Sequence, residues 1–117
     1  WYRLAAEQGH ARAQSNLGSL YAHGRGVPQG DIDAVAWYRR AAEQGEPMAQ
    51  YNLGVMYADG RGVPQDLPRA YMWFDLAAGQ GNDTANEGME ITGGQLSVEQ
   101  IAEAQARARE WRGQHPQ

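Results

Sequence analysis

Apolar side chains between residues 47 and 59 recur at the three- and four-residue spacing of an α-helix. The residues that share this face are Ala49, Leu53, Met56 and Tyr57. Pro47 suits the first turn of such a helix, and the run of glycine and proline at residues 60–64 ends it. A second helix is predicted from residue 67 to about residue 79, with Asp66 as its N-cap.

The same alternation of helix and break occurs on both sides of this segment. Before it, the pattern predicts a helix over residues 11–23, a loop over residues 24–30 and a helix over residues 31–43. After it, a third copy of the first helix ends early at Gly93 and Gly94, and a mid-helix glycine, Gly88, weakens it. The last helix opens with a capping box and carries one apolar stripe. Its members are Ser97 and Gln100 in the box, and Ile101, Ala104, Ala108 and Trp111 in the stripe.

Comparison of the chain with itself explains this regularity. Residues 1–36 and 37–72 are identical at 22 of 36 positions, and Trp1, Trp37 and Trp73 mark the period. Residues 73–92 form a decayed third copy. A 36-residue unit of two helices predicts an all-α protein, an α/α superhelical solenoid of helix-turn-helix repeats with a C-terminal capping helix.

The repeat also predicts how the single domain of residues 1–117 divides. Residues 1–8 match the end of a repeat, residues 11–45 and 47–81 are two full repeats, and residues 82–117 hold a degenerate repeat and the cap helix. We therefore expect the chain to begin inside a longer array. The apolar end around Trp1 and Leu4 would then lack a cap, which predicts weak self-association through that end.

One known repeat family has a closely similar sequence pattern. The segment from Ala49 to Gly81 carries A-x-x-NLG-x-x-Y-x-x-G-x-GV-x-x-D-x-x-x-A-x-x-W-F-x-x-AA-x-QG, and a second copy runs from Ala13 to Gly45 with Gly30 in place of the Asp. These residues resemble the Sel-one-like repeat (SLR) family, which is related to the tetratricopeptide repeats. The resemblance implies an α/α solenoid whose first helices line a concave surface used for protein interaction.

The composition argues against catalysis, metal binding, nucleic-acid binding and membrane insertion. Cysteine and lysine are absent, which excludes disulfides, thiolate sites and a Ser-x-x-Lys nucleophile. The three histidines, at positions 10, 23 and 115, share no metal-ligand spacing. A net charge of −4 gives no basic stripe for nucleic acid, and no apolar run reaches the roughly 18 residues of a membrane span. We therefore expect no catalytic residue, cofactor or metal.

The positions that differ between repeats carry the functional hypothesis. On the first helices they recur at spacings of three and four, which places them on one face. A face that varies on a repeated scaffold is typical of a binding surface, although an unconstrained solvated surface would vary in the same way. The candidate concave face consists of Arg12, Ser15, Ser19, His23, Met48, Tyr51, Val55, Asp59, Thr84, Glu87 and Ile91.

These observations favour a non-catalytic scaffold or adaptor that binds a protein or peptide along the concave face. Two alternatives stay open. One is a hydrolase that uses the groove, as a cysteine-rich penicillin-binding branch of the family suggests, although this chain has no cysteine. The other is a purely structural spacer. The sequence leaves the compartment open between the bacterial cytoplasm and the periplasm or exterior.

Overall fold

The computed structural model describes residue 6, residues 9–23 and residues 30–115, and this part of the chain contains helices and no strand. In this part of the chain six helices follow one another; the first packs on the second, the third on the fourth, and both the fifth and the sixth pack on the fourth. They are α1 (Ala11–His23), α2 (Asp31–Glu43), α3 (Pro47–Asp59), α4 (Leu67–Ala78), α5 (Asp83–Gly93) and α6 (Val98–Gln114). The all-α repeat architecture that the sequence predicts is confirmed.

Side-chain caps explain where the helices begin. Asp66, Asn82 and Ser97 each accept a hydrogen bond from a backbone N–H one turn later, and Glu46 does so for α3. The predicted capping box is present, with Ser97 and Gln100 exchanging hydrogen bonds of 3.1 and 2.9 Å. Gly60 ends α3 in the left-handed conformation, with φ of 70°.

The core is built from alanines and aromatic rings. Tyr38, Trp73 and Phe74 are buried with the alanines of the second helices, and Leu53 is fully buried between the layers. Glycines on the first helices make room for the rings. A Cβ at Gly18 would lie 2.8 Å from the Tyr38 ring, and one at Gly54 would lie 2.7 Å from the Phe74 ring. The close contact between these helices therefore comes from a glycine facing an aromatic ring.

Two buried glutamines join consecutive helix pairs. The amide of Gln50 donates to the carbonyl of Ala42 at 3.3 Å, and its Oε1 accepts from the amide of Gln80 at 2.8 Å. Gln14 repeats this arrangement one period earlier, with Gln44 as its partner at 2.6 Å. Because both glutamines are almost fully buried, these hydrogen bonds are needed to offset their desolvation. The sequence analysis did not identify this role for the repeated glutamines.

The loop after α3 ties the second repeat to the first. Arg61 forms an ion pair of 2.8 Å with Asp31 and donates to the carbonyl of Ala22 at 3.2 Å. The hydrogen bond to Asp31 raises the pKa of the Arg61 guanidinium. Gly62, with φ of 73°, lies so close to the backbone of Asp31 that a Cβ there would be 2.4 Å from its carbonyl oxygen. The loop sequence therefore serves packing between repeats.

The last helix closes the array in the predicted way. Ala104 and Ala108 of α6 are buried, while Ile101 and Trp111 are partly buried beside them. The Trp111 ring packs edge-on against Trp73 at a centroid distance of 6.1 Å. Arg112 fixes the far end of α6, since it donates to the backbone and side chain of Asp75 in α4.

Candidate functional site

A groove runs between α3 and α5, the first helices of two consecutive pairs. Its volume is about 200 Å³, and it is open to solvent on one side. We call it the α3–α5 groove. Its lining residues are Tyr51, Val55, Ala58, Asp59, Phe74, Thr84, Glu87, Gly88, Ile91 and Thr92.

The floor of the groove is apolar because α4 supplies an aromatic ring from below. Phe74 is buried, and its ring meets the Tyr51 ring at a centroid distance of 5.7 Å and an angle of 43°. A Cβ at Gly88 would lie 2.9 Å from the same ring. Gly54 and Gly88 thus hold Phe74 between two helices. Val55 is partly buried beside this ring cluster.

The rim of the groove combines exposed acidic side chains with an exposed apolar one. Asp59 ends α3, and Thr84 and Glu87 lie on the exposed side of α5. Ile91 leaves 67% of its surface exposed. Thr92 is buried, and its hydroxyl donates to the carbonyl of Gly88 at 2.7 Å.

The structure brings together the candidate residues of α3 and α5 with one exception. Met48 lies outside the groove, where it is 51% exposed and its sulfur accepts from the Asn82 amide at 3.6 Å. The six candidates that line the groove are Tyr51, Val55, Asp59, Thr84, Glu87 and Ile91.

The candidates on α1 do not line this groove. Arg12 and His23 are exposed, and Ser19 is partly buried. Ser15, a candidate for the concave face, is buried, with only 5% of its surface exposed. Ser15 lies three residues before Gly18 and therefore shares the face that packs towards Tyr38.

One difference between the repeats is explained by packing rather than by binding. The Ser19 hydroxyl lies 3.0 Å from the Tyr38 hydroxyl, so the two side chains share a hydrogen bond. One period later, Val55 replaces Ser19 and Phe74 replaces Tyr38, and both hydroxyls are lost together. Burial raises the pKa of Tyr38, while the hydrogen bond to Ser19 and the charge of Arg61 lower it.

The sequence analysis missed four lining residues. Ala58 and Phe74 occupy repeated positions, which were assigned to the scaffold, and Gly88 was interpreted only as a weak point of its helix. No pattern in the sequence indicated that Thr92 lines the groove. Glycines at mid-helix positions of both first helices are the signal that would have indicated the ring held between them, since Gly54 and Gly88 contact the same side chain.

A second cavity of about 210 Å³ lies where the start of α4 meets α6. Its charged side chains already interact within the protein, because Arg107 pairs with Glu103 at 3.0 Å and Asp66 caps α4. Across the described ranges, no three His, Asp or Glu side chains are grouped closely enough to hold a metal ion. No helix in those ranges is both long enough and apolar enough to cross a membrane.

Stacked helix pairs with small–aromatic packing and a capped end define a helical repeat scaffold, a class generally used for protein interaction. The Sel1 repeat family model matches residues 1–10, 11–46 and 47–82. The chain belongs to the Sel1 repeat family. Comparison with the curated proteins gave no match.

Two solved structures illustrate the likeness. One is c5321, described as a protective antigen present in uropathogenic Escherichia coli strains and displaying an SLR fold. It is 35% identical over 98% of this chain, with a TM-score of 0.94. The other is a Sel1 repeat protein from Oxalobacter formigenes, 47% identical over 77% of this chain and 68% of its own, with a TM-score of 0.75. The present chain spans about a quarter of the length of c5321.

Proposed function

We propose that the α3–α5 groove binds a peptide segment of another protein and that the domain acts as a non-catalytic interaction module. The observation that supports this most strongly is the gathering of six variable residues from two successive first helices around one open, apolar-floored groove. Family membership supports the same proposal, since the fold is typically a non-catalytic repeat scaffold.

The size of the groove favours a peptide side chain over a free small molecule. Pockets for cofactors and drug-sized ligands usually measure about 300–1,000 Å³. The volume here is about 200 Å³. An enclosed apolar cavity of about 150 Å³ accepts benzene, so this groove has room for one large apolar side chain.

The exposed and partly buried apolar residues supply the binding energy in this proposal. Ile91 and Tyr51 flank the floor formed by Phe74, and a bound side chain would remove water from Ile91 and Tyr51. Burying most of the exposed surface of Ile91 contributes about 1–2 kcal/mol by the usual area relation. Aromatic and aliphatic anchors at the centre of a contact carry most of its energy, whereas its rim sets specificity.

Two exposed isoleucines provide a matched test. Ile91 lines the groove at 67% exposure, and Ile32 lies outside it on α2 at 73%. Peptides selected from a displayed random library would be measured by fluorescence anisotropy against the parent protein, the Ile91→Glu variant and the Ile32→Glu variant. We expect Ile91→Glu to weaken binding at least about tenfold, equal to about 1.4 kcal/mol. Ile32→Glu should leave the affinity unchanged.

Other outcomes would favour the alternatives. The absence of any saturable peptide would support a structural spacer, and equal loss of binding in both variants would place the contact elsewhere. Turnover of an ester or β-lactam substrate that Ile91→Glu abolishes would support a hydrolase. Circular dichroism of each variant confirms that the helices are intact, so that a loss of binding is not a loss of fold.

A further inference from the structure

Charge is distributed unequally between the two helices that form the groove and the rest of the chain. α3 and α5 together contain Asp59, Asp83, Glu87 and Glu90 and no basic residue. The arginines that the structure describes lie on the other helices and in the loop after α3, and the chain has no lysine. Every charged side chain on the two helices that form the groove is therefore acidic, although the whole chain carries ten arginines against fourteen acidic residues.

Two of these carboxylates lie on the rim of the groove itself. Asp59 and Glu87 both line it, one on each helix. Within the described ranges neither forms an ion pair. Arg61 lies two residues after Asp59 and interacts with it electrostatically, but its guanidinium is held by Asp31 at 2.8 Å. Asp59 also ends α3, where the helix dipole adds negative potential.

We infer that the partner segment of the α3–α5 groove is a basic peptide, with an arginine or lysine next to the apolar residue that enters the groove. This inference rests on the proposed function and adds the chemistry of its partner. The apolar residue occupies the floor beside Phe74 and Ile91, and the basic residue next to it faces Asp59 or Glu87 on the rim. Complementary charge of this kind selects among apolar segments and speeds their encounter with the groove.

The test uses four sets of short synthetic peptides with the same central leucine, isoleucine, phenylalanine or tryptophan. In the first set arginines flank the central residue, in the second lysines, in the third glutamates and in the fourth glutamines. Affinities are measured by fluorescence anisotropy at low and at high sodium chloride. The protein variants are Asp59→Asn, Glu87→Gln and Ile91→Glu, with Glu110→Gln on the exposed side of α6 as a control of equal charge change.

We expect the arginine and lysine sets to bind most tightly, and the glutamate set to bind most weakly. Each neutralised rim carboxylate should weaken binding of the basic sets about two- to fivefold, as exposed ion pairs generally do. Added salt should weaken the same sets, and Glu110→Gln should change nothing. Ile91→Glu should weaken binding of the basic sets, because the lost apolar contact outweighs the attraction of the added carboxylate.

The possible failures are distinguishable. If all four sets bind equally and Ile91→Glu abolishes that binding, the groove binds peptides and the inference about charge is wrong. If the glutamate set binds most tightly, it is also wrong. If no set shows saturable binding that depends on Ile91, the proposed function fails, and the basic partner fails with it.

Discussion

The Phe74 ring lies between Gly54 of α3 and Gly88 of α5, and the closeness of these contacts sets the size of a stability change. In α3 a Cβ at position 54 would lie 2.7, 2.8 and 3.2 Å from three atoms of the Phe74 ring. Ordinary contacts of a Cβ begin near 3.4 Å, so Gly54→Ala forces the ring to recede by several tenths of an ångström. The ring also lies against Gly88 of α5, which restricts its retreat. We therefore expect Gly54→Ala to destabilise the protein.

Two opposing effects set the size of this loss. Overpacking a close contact costs about 1–3 kcal/mol. Replacing a mid-helix glycine with alanine gains about 1 kcal/mol in helix propensity. The net expectation for Gly54→Ala is a free energy of unfolding lower by about 1 kcal/mol, since the contact with the ring outweighs the propensity gain.

Gly113 offers a control in which only propensity acts. It lies in α6, and a Cβ there would meet nothing within 4 Å. Gly113→Ala should raise the free energy of unfolding by up to about 1 kcal/mol, less where the helix end frays. Urea denaturation followed by circular dichroism at 222 nm, the standard helix wavelength, measures both variants on the same scale.

The comparison can refute the argument. If Gly54→Ala stabilises the protein as much as Gly113→Ala does, the Phe74 ring is not held between α3 and α5. A second experiment tests whether the contact with Phe74 causes the loss of stability. In a Phe74→Leu background the smaller side chain leaves room, so Gly54→Ala should then lose most of its penalty.

Three further substitutions test the packing. Leu53→Ala should lower the free energy of unfolding by about 2–5 kcal/mol, because the side chain is fully buried between the helix layers. Ser19→Val should cost about 1–3 kcal/mol by leaving the Tyr38 hydroxyl without its partner, and adding Tyr38→Phe should recover most of that loss. Gln50→Leu should cost about 1–3 kcal/mol, because the Gln80 amide loses its buried acceptor. Chemical denaturation measures all three.

Each of these expectations has a result that would contradict it. A loss below about 0.5 kcal/mol for Leu53→Ala would show that α3 is rotated about its axis. Additive effects in the Ser19 and Tyr38 cycle would mean that the two hydroxyls do not share a hydrogen bond. A neutral Gln50→Leu would show that the glutamine contacts between helix pairs do not contribute to stability.

Much of the fold follows from local signals in the sequence. The predicted helices over residues 11–23, 31–43 and 47–59 agree with the observed ones, because glycine, proline and capping side chains mark their ends. The cap helix followed from its capping box and its stripe of small and aromatic residues. The structure also places six of the candidate face residues in one groove, since helical spacing alone fixes which side chains share a face.

Other features depend on contacts between helices and could not be predicted from periodicity. Ser15 and Tyr51 occupy equivalent positions, yet the small serine is buried and the tyrosine lines the groove. Gly88 looked like decay of the repeat, and its role emerges only where Phe74 lies against it. The expectations for residues 1–5, 7 and 8, including the uncapped apolar end and its self-association, lie outside the described residues and stay predictions, as does the predicted loop over residues 24–29.

A titration followed by methyl NMR tests the central claim most directly. The probe is the tightest arginine-flanked peptide, added to protein labelled at isoleucine and valine methyl groups. The account predicts saturable shifts at Val55 and Ile91, which line the groove, and none at Ile32 and Val98, which are exposed elsewhere. Shifts centred on Ile32 or Val98, or no saturable shift at Val55 and Ile91, would contradict the assignment of the α3–α5 groove as the binding site.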